Sequence, residues 1–188
     1  MNESLSNMTS EELWQLFPIQ LVKHDEGWKK QYENEKRMLE SILPNSVLLS
    51  HIGSTAIRGI CAKPIVDILA EADACIFADI KKILLNNGYI CMSESSTRIS
   101  FNKGYTPKGF AKKVFHLHLR EYGDNDELYF RDYMNENPAL ARQYEELKLS
   151  LLKPYEHDRD GYTDAKSNFV NKYTAEAKAF YGEKYNKK

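Results

Sequence analysis

The stretch Ser50-His51-Ile52-Gly53-Ser54-Thr55-Ala56, followed by Lys63-Pro64-Ile65-Val66-Asp67-Ile68-Leu69-Ala70-Glu71, decides how the chain is read. Two apolar, β-branched-rich runs, Val47 to Ile52 and Pro64 to Ala70, flank the Gly-Ser-Thr punctuation and a short segment carrying Gly59. That pattern predicts strand, turn, short helix, strand. A Gly-Ser pair that ends a strand and opens a helix leaves backbone N–H groups and a hydroxyl facing outward at the helix's partially positive end. Gly53, Ser54 and Thr55 are therefore candidates to cradle a phosphate, against the plainer reading of a turn and helix cap.

Asp67 sets a carboxylate in an otherwise apolar strand. A buried, unpaired carboxylate is costly, so Asp67 is expected at the strand's accessible end, paired with a cation such as Lys63 or Arg58, or bound to metal. Glu71, four positions on, points to the same side of the sheet, and two oxygen ligands on one face suit magnesium together with a substrate phosphate. Lys63 is also a candidate for the phosphate itself. His116 and His118 share a face of a later strand, a spacing that permits metal ligation, substrate hydrogen bonding or proton transfer. His51, just before the turn, is a further candidate to converge on the same region.

Outward from this segment, Thr9 and Glu12 form a capping-box pattern for a short leading helix, and Trp28, Tyr32, Leu39 and Ile42 mark a helix near 25–43. Ile19 to Val22 reads as a strand or an extended docking segment. A helical face from Ile76 to Leu84 stops at Asn86-Asn87-Gly88, and strands follow at Tyr89 to Met92, Arg98 to Asn102 and Lys113 to Arg120. The last two strands are joined by a loop with Gly104, Pro107 and Gly109. Beyond Gly123 the pattern is helical to the end. A strand-rich middle that needs helices to cover it predicts one α+β domain over 1–188, with 1–18 as an N-terminal extension.

The chain has 188 residues, 26 Lys+Arg against 27 Asp+Glu and a formal charge of −1, which gives no global case for coating nucleic acid. No specific nucleic-acid partner is predicted. Charge is local instead: Arg98 to Arg120 carries six cations and no acid, while Glu121 to Glu136 is mainly acidic. Cys61, Cys75 and Cys91 follow neither zinc-finger nor secreted disulfide spacing, so reduced thiols are expected. With no signal-peptide pattern and no apolar run near the ~20 residues that cross a bilayer, a cytoplasmic protein without a membrane partner is expected. Oligomeric state is left open.

The order of Leu16-Phe17-Pro18-Ile19, His51-Ile52-Gly53-Ser54-Thr55-Ala56, Lys63-Pro64-Ile65-Val66-Asp67-Ile68-Leu69, Arg98, Phe101, Lys103, His116-Leu117-His118-Leu119, Phe130-Arg131-Asp132-Tyr133 and Tyr162-Thr163-Asp164-Ala165-Lys166 resembles the GrpB family, placed in the nucleotidyltransferase superfamily. The resemblance implies a mixed β-sheet flanked by helices, with a Gly-Ser turn and strand carboxylates that bind magnesium and position a nucleoside triphosphate. Asp67 matches the first acid of that motif, but Leu69 occupies the second position, and His116 and His118 stand where a third acid is expected. Arg98 and Lys103 match the family's basic hairpin and are candidates for an anionic substrate group. Tyr162 and Lys166, one helical turn apart, are expected either to contact a phosphate or base or, respectively, to pack the core and to reach solvent.

The leading expectation is binding of a nucleotide or phosphorylated small molecule. If the protein is catalytic, it transfers a nucleotidyl group with Mg2+ held by Asp67 and Glu71 and with His118 assisting. The alternatives are a noncatalytic ligand-binding or regulatory module of the same fold, and a His-assisted metal hydrolase using a transition metal.

Overall fold

The computed structural model describes residues 9–185. The expected extension over 1–18 falls partly on residues 1–8, outside the described residues, as do 186–188. A short helix α1 (Ser10–Leu16) opens the described chain, and Thr9 caps it: its hydroxyl accepts from the Glu12 N–H, and Glu12 accepts from the Thr9 N–H. Helix α2 (Gly27–Ile42) leads into strand β1 (Leu48–Ile52), and strand β2 (Val66–Ala72) into α3 (Phe77–Asn86). Strands β3 (Ile90–Glu94), β4 (Arg98–Thr106) and β5 (Gly109–Glu121) follow, then helices α4 (Asp126–Glu136), α5 (Pro138–Leu152) and α6 (Arg159–Tyr181).

The strands form one five-stranded sheet in the order β1-β2-β5-β4-β3. β2 and β5 run parallel and every other pair is antiparallel, so the fold is α+β with a mixed sheet between helices, as expected. Ile19 to Val22 joins it only through an isolated bridge between Val22 and Ala62. Side chains alternate across a strand, so the register sorts the sheet into two chemically distinct faces. Ile68, Ala70, Leu117, Leu119, Ile99 and Phe101 lie on one face, packed against Trp28, Tyr32 and Leu39 of α2 and Phe77, Ile80 and Leu84 of α3. The other face carries the rows Asp67–His116–Asn102, Leu69–His118–Ser100 and Glu71–Arg120–Arg98. A second apolar cluster joins α4, α5 and α6 to Ile57 and Ile60.

Two local differences from the sequence reading have identifiable causes. The segment after Gly53 forms only a three-residue 3-10 turn, Ser54–Ala56, so the expected helix terminus and its dipole are absent. The expected loop around Gly104 is paired strand, because Gly104 takes φ +92° at a bulge where a Cβ would come within 2.3 Å of the Lys113 carbonyl oxygen. Pairing then continues to the turn, and Phe17 packs its ring on Tyr105 and Phe110.

The exposed edge of β1 is blunted by side chains. Tyr32 Oη donates to the Leu49 carbonyl at 3.0 Å and Arg131 Nη1 to the His51 carbonyl at 2.8 Å, which occupies acceptors that a foreign strand would use. Among the described residues no helix is long and apolar enough to cross a membrane. Ile68 lies fully buried in the main core. Ile68→Ala is expected to lower stability by about 2–5 kcal/mol, read as a fall in the urea midpoint without a change in slope.

Candidate functional site

Asp67 starts the polar face, opposite Ile52 on β1 and His116 on β5. Gly53 packs directly against it: at φ +71°, a Cβ there would stand 2.2 Å from Asp67 Oδ2, so only glycine permits this approach of turn to carboxylate. His116 Nδ1 lies 3.2 Å and His118 Nε2 3.6 Å from Asp67 Oδ1. Burial opposes the charge on Asp67, but the two imidazoles hold its carboxyl well below the usual carboxylate range. One ligand atom from each of these three residues lies within 4.8 Å of the others, so the cluster could hold a metal ion.

The second layer comes from α6 and the β4–β5 hairpin. Arg159 Nη2 approaches His116 Nε2 at 3.1 Å, and Tyr105 Oη lies 2.9 Å from the same nitrogen. Burial, reinforced by Arg159, pushes the His116 imidazole toward its neutral form. Lys63 and Lys166 stand over the ring of Tyr162, with Nζ at 4.6 and 4.3 Å from its centre. Burial, helped by Lys166 and Arg159, lowers Lys63 to about 7. Burial also brings Lys166 down to about 8, although Asp67 acts to raise it.

A recess of about 480 Å3 opens here, lined by Gly53, Ser54, Asp67, Tyr144, Lys166 and Asn171 among others. That volume lies in the range of small-molecule sites. The acids on its rim are already paired: Asp124 with Arg98, Asp126 with Lys178, and Glu127 with Arg120. Asp67 is left as the acid acting on Lys63 and Lys166, with Arg159 close by. A larger cleft of about 780 Å3 lies across the Gly53–Ala56 turn, with Arg131 lining both cavities. Its chemistry points elsewhere, because acids and cations are interspersed there and burial pushes His51 down to about 4.

The structure thus gathers Gly53, Ser54, Lys63, Asp67, His116, His118, Tyr162 and Lys166 around one region, keeps Arg98 on its rim and separates Glu71 and Lys103 from it. Glu71 lies four residues along β2 at the opposite end of the β1–β2 pair, roughly 13 Å away at strand rise. Its carboxylate accepts from the Gly123 N–H at 3.1 Å and Asn125 Nδ2 at 2.9 Å, so it anchors the β5–α4 connection instead of joining Asp67. Lys103 projects from the other face of the sheet, where it pairs with Glu35 at 2.7 Å and covers the Tyr89 ring. Arg98 is on the correct face but donates two 2.7 Å bonds to Asp124, closing the rim.

The Thr55 hydroxyl is buried and donates to the Ile65 carbonyl at 3.2 Å, which makes it a brace for the turn. His51 stacks on Tyr32 toward α2, away from Asp67. Tyr162 is 1% exposed and packs as core, and its hydroxyl is without a partner among the described residues. Sequence reasoning missed Arg159, Tyr105 and Lys148. Lys148 is 2% exposed, donates to the Cys61 carbonyl, and burial brings it down to about 8.

Magnesium, implied by the family resemblance, does not fit this donor set. Magnesium takes oxygen ligands in octahedral geometry, whereas the cluster offers one carboxylate and two imidazoles, with Leu69 facing inward at the second acid position. One carboxylate with two imidazoles suits a transition metal better.

The chain belongs to the GrpB protein family, whose model matches residues 18–176. It is 38% identical over 161 residues to the glutamate-rich protein GrpB of Alkalihalophilus pseudofirmus, covering 80% of this chain and 91% of that protein. It is 29% identical to the UPF0157 protein YqkA of Bacillus subtilis over 89% of this chain, but spans only half of that protein. The crystal structure of the conserved protein GrpB from Enterococcus faecalis superposes with a TM-score of 0.75 at 30% identity, covering 86% of this chain and 99% of that one. A fainter likeness to the Cid1 poly(U) polymerase, TM-score 0.47 at 14% identity over 74% of this chain and 44% of that one, is too slight to bear on activity.

The position of Glu71 yields a direct test. Glu71→Ala leaves the Gly123 N–H and the Asn125 amide without their acceptor, and is expected to cost about 1–3 kcal/mol in urea denaturation. The same variant should leave any ligand affinity measured at the Asp67 recess unchanged.

Proposed function

We propose that the recess beside Asp67 binds a phosphorylated small molecule, nucleotides included, with its phosphate held by Lys166, Lys63 and Arg159. The observation that carries this reading is the charge arrangement: Lys166 lines the recess with Asp67, Lys63 and Arg159 line the adjoining small pocket close enough to act on one another, and the other acids on the rim are committed to partners of their own. Like charges brought together at low solvent exposure raise one another's cost, and an anion relieves it. The Gly53-Ser54 turn adds a hydroxyl and a close backbone at the same wall. Leu69 and the remote Glu71 leave Asp67 as the carboxylate of the recess outside an Arg or Lys ion pair, which supports ligand binding over two-metal nucleotidyl transfer.

Titration calorimetry with ATP, GTP, CTP and UTP, with and without magnesium, checks this reading. Saturable binding that does not require magnesium is expected, weakened about tenfold or more in Lys166→Met through loss of a charge-assisted contact. Asp67→Asn separates the two chemistries. It removes the opposing negative charge and should leave phosphate affinity equal or higher, whereas a loss confined to the magnesium-containing titration would favour nucleotidyl transfer. No binding of any phosphorylated probe would refute the proposal.

The pH dependence has a definite sign. Free lysine side chains keep their protons to about pH 10, but burial places Lys63 at about 7 and Lys166 at about 8. Between pH 7 and pH 9 the empty recess therefore loses positive charge while a phosphate monoester stays dianionic. Affinity is expected to fall by about tenfold or more over that interval, and a flat profile would count against these lysines as phosphate ligands.

A second reading, a His-assisted metal hydrolase, is favoured by the proximity of ligand atoms in Asp67, His116 and His118. It predicts stoichiometric zinc, manganese or iron in freshly purified protein, lost in His118→Ala. Protein that is metal-free and also ignores added zinc and manganese would eliminate it.

A further inference from the structure

We infer that Arg159 decides whether the Asp67–His116–His118 cluster accepts a metal ion, and that a phosphate-bearing ligand is what releases it. Hydrogen-bond direction at one imidazole sets the first step, and the release by phosphate rests on the phosphate reading above. A guanidinium has five N–H donors and no acceptor. Its 3.1 Å contact with His116 Nε2 is a hydrogen bond only if that nitrogen presents its lone pair. Tyr105 is placed to do the same: its hydroxyl lies 2.9 Å from Nε2 and has one proton to donate there. With two donors on Nε2, the ring carries its proton on Nδ1 and donates it to Asp67 Oδ1 at 3.2 Å.

That tautomer is unsuited to a metal. The nitrogen facing Asp67 is the one a shared ion would need, and it is occupied by a proton. Histidines that ligate metals donate their other ring N–H to a carboxylate, carbonyl or water, which fixes the ligating lone pair. Here the outer partner of His116 is a donor, the reverse of that arrangement. Moving the proton to Nε2 would set an N–H against the guanidinium, so metal entry requires Arg159 to leave.

Arg159 has somewhere to go. It is the first residue of α6, it lines a small apolar pocket with Phe17, Phe110 and Val114, and none of its side-chain contacts among the described residues is an ion pair. An anion in the recess offers it a stronger bond than a neutral imidazole does. Tyr105 can then turn its hydroxyl to accept from Nε2–H, and the Nδ1 lone pair becomes available beside Asp67 and His118. Anion and metal thus bind with positive coupling, and by linkage each raises the affinity for the other by the same factor.

The test uses the full chain, Co2+ as the metal probe and inorganic phosphate as the anion. In the ligand-free wild-type protein, 15N-detected histidine spectra should show His116 protonated at Nδ1, and protonation at Nε2 overturns the proposal without any variant. Cobalt affinity, read from visible absorbance, should rise roughly tenfold or more in Arg159→Gln, whose amide oxygen accepts from Nε2–H. Arg159→Met, which removes the donor without adding an acceptor, should show a smaller rise, and urea midpoints near wild type establish that both variants are folded. Phosphate should tighten cobalt binding in the wild type and have little effect in Arg159→Gln. Equal cobalt affinity in wild type and both variants overturns the proposal while leaving phosphate binding intact. A gain in Arg159→Gln with no response of the wild type to phosphate overturns the release step and counts against phosphate as the ligand of the recess.

Discussion

The parallel pairing of β2 with β5, in the register that sets Asp67 beside His116 and Leu69 beside His118, is the constraint on which the rest of the structure depends. A shift of one residue would turn each side chain of β5 to the opposite face. His116 and His118 would then enter the apolar layer against α2 and α3, and Phe115, Leu117 and Leu119 would face the recess. The apolar side enforces the register, since Ile68, Ala70, Leu117 and Leu119 can be buried together only when the histidines point the other way. Core packing on one face therefore places chemistry on the other.

Helix α6 gives that polar face its character. Without Lys166 and Arg159, the row Asp67–His116–Asn102 would be a shallow strip of hydrogen-bonding groups. With them it becomes a wall where Lys166 and Arg159 act on the same buried neighbourhood as Lys63 and Asp67. Tyr162 fills core on α6 while its ring meets the ammonium groups of Lys63 and Lys166. The C-terminal turn docks on α4: Tyr129 Oη donates to the Gly182 carbonyl at 3.0 Å, and Tyr185 reaches Asp132. The recess is thus assembled from helices α4, α5 and α6 around a strand from the chain's first half.

The strands were largely legible because alternation and β-branched runs are local signals, and Asp67 stood out because a carboxylate in such a run needs an explanation. Spacing alone separates two of the candidates. Arg98 and Lys103 are five residues apart, an odd separation that puts them on opposite faces of a regular strand, and Lys103 does meet Glu35 of α2. Glu71 does share a face with Asp67, but four residues of extended chain exceed the reach of one ion. Other features had no local signal. Arg159 meets His116 only because α6 crosses the sheet, Tyr105 enters only because Gly104 allows a bulge, and the Thr55 hydroxyl is consumed by a carbonyl ten residues away. In each case a tertiary contact decided the role.

The central proposal is that the recess beside the Asp67–His116–His118 cluster takes a phosphate, with Lys166 from its own wall and Lys63 and Arg159 from the adjoining pocket as ligands. A crystal structure of the protein grown with a nucleoside triphosphate measures it most directly. The account predicts phosphate density within hydrogen-bond distance of Lys166 and Arg159, beside the Gly53-Ser54 wall. Density for the phosphates only in the cleft beside His51 and Arg58, with the Asp67 recess filled by water alone, would contradict it.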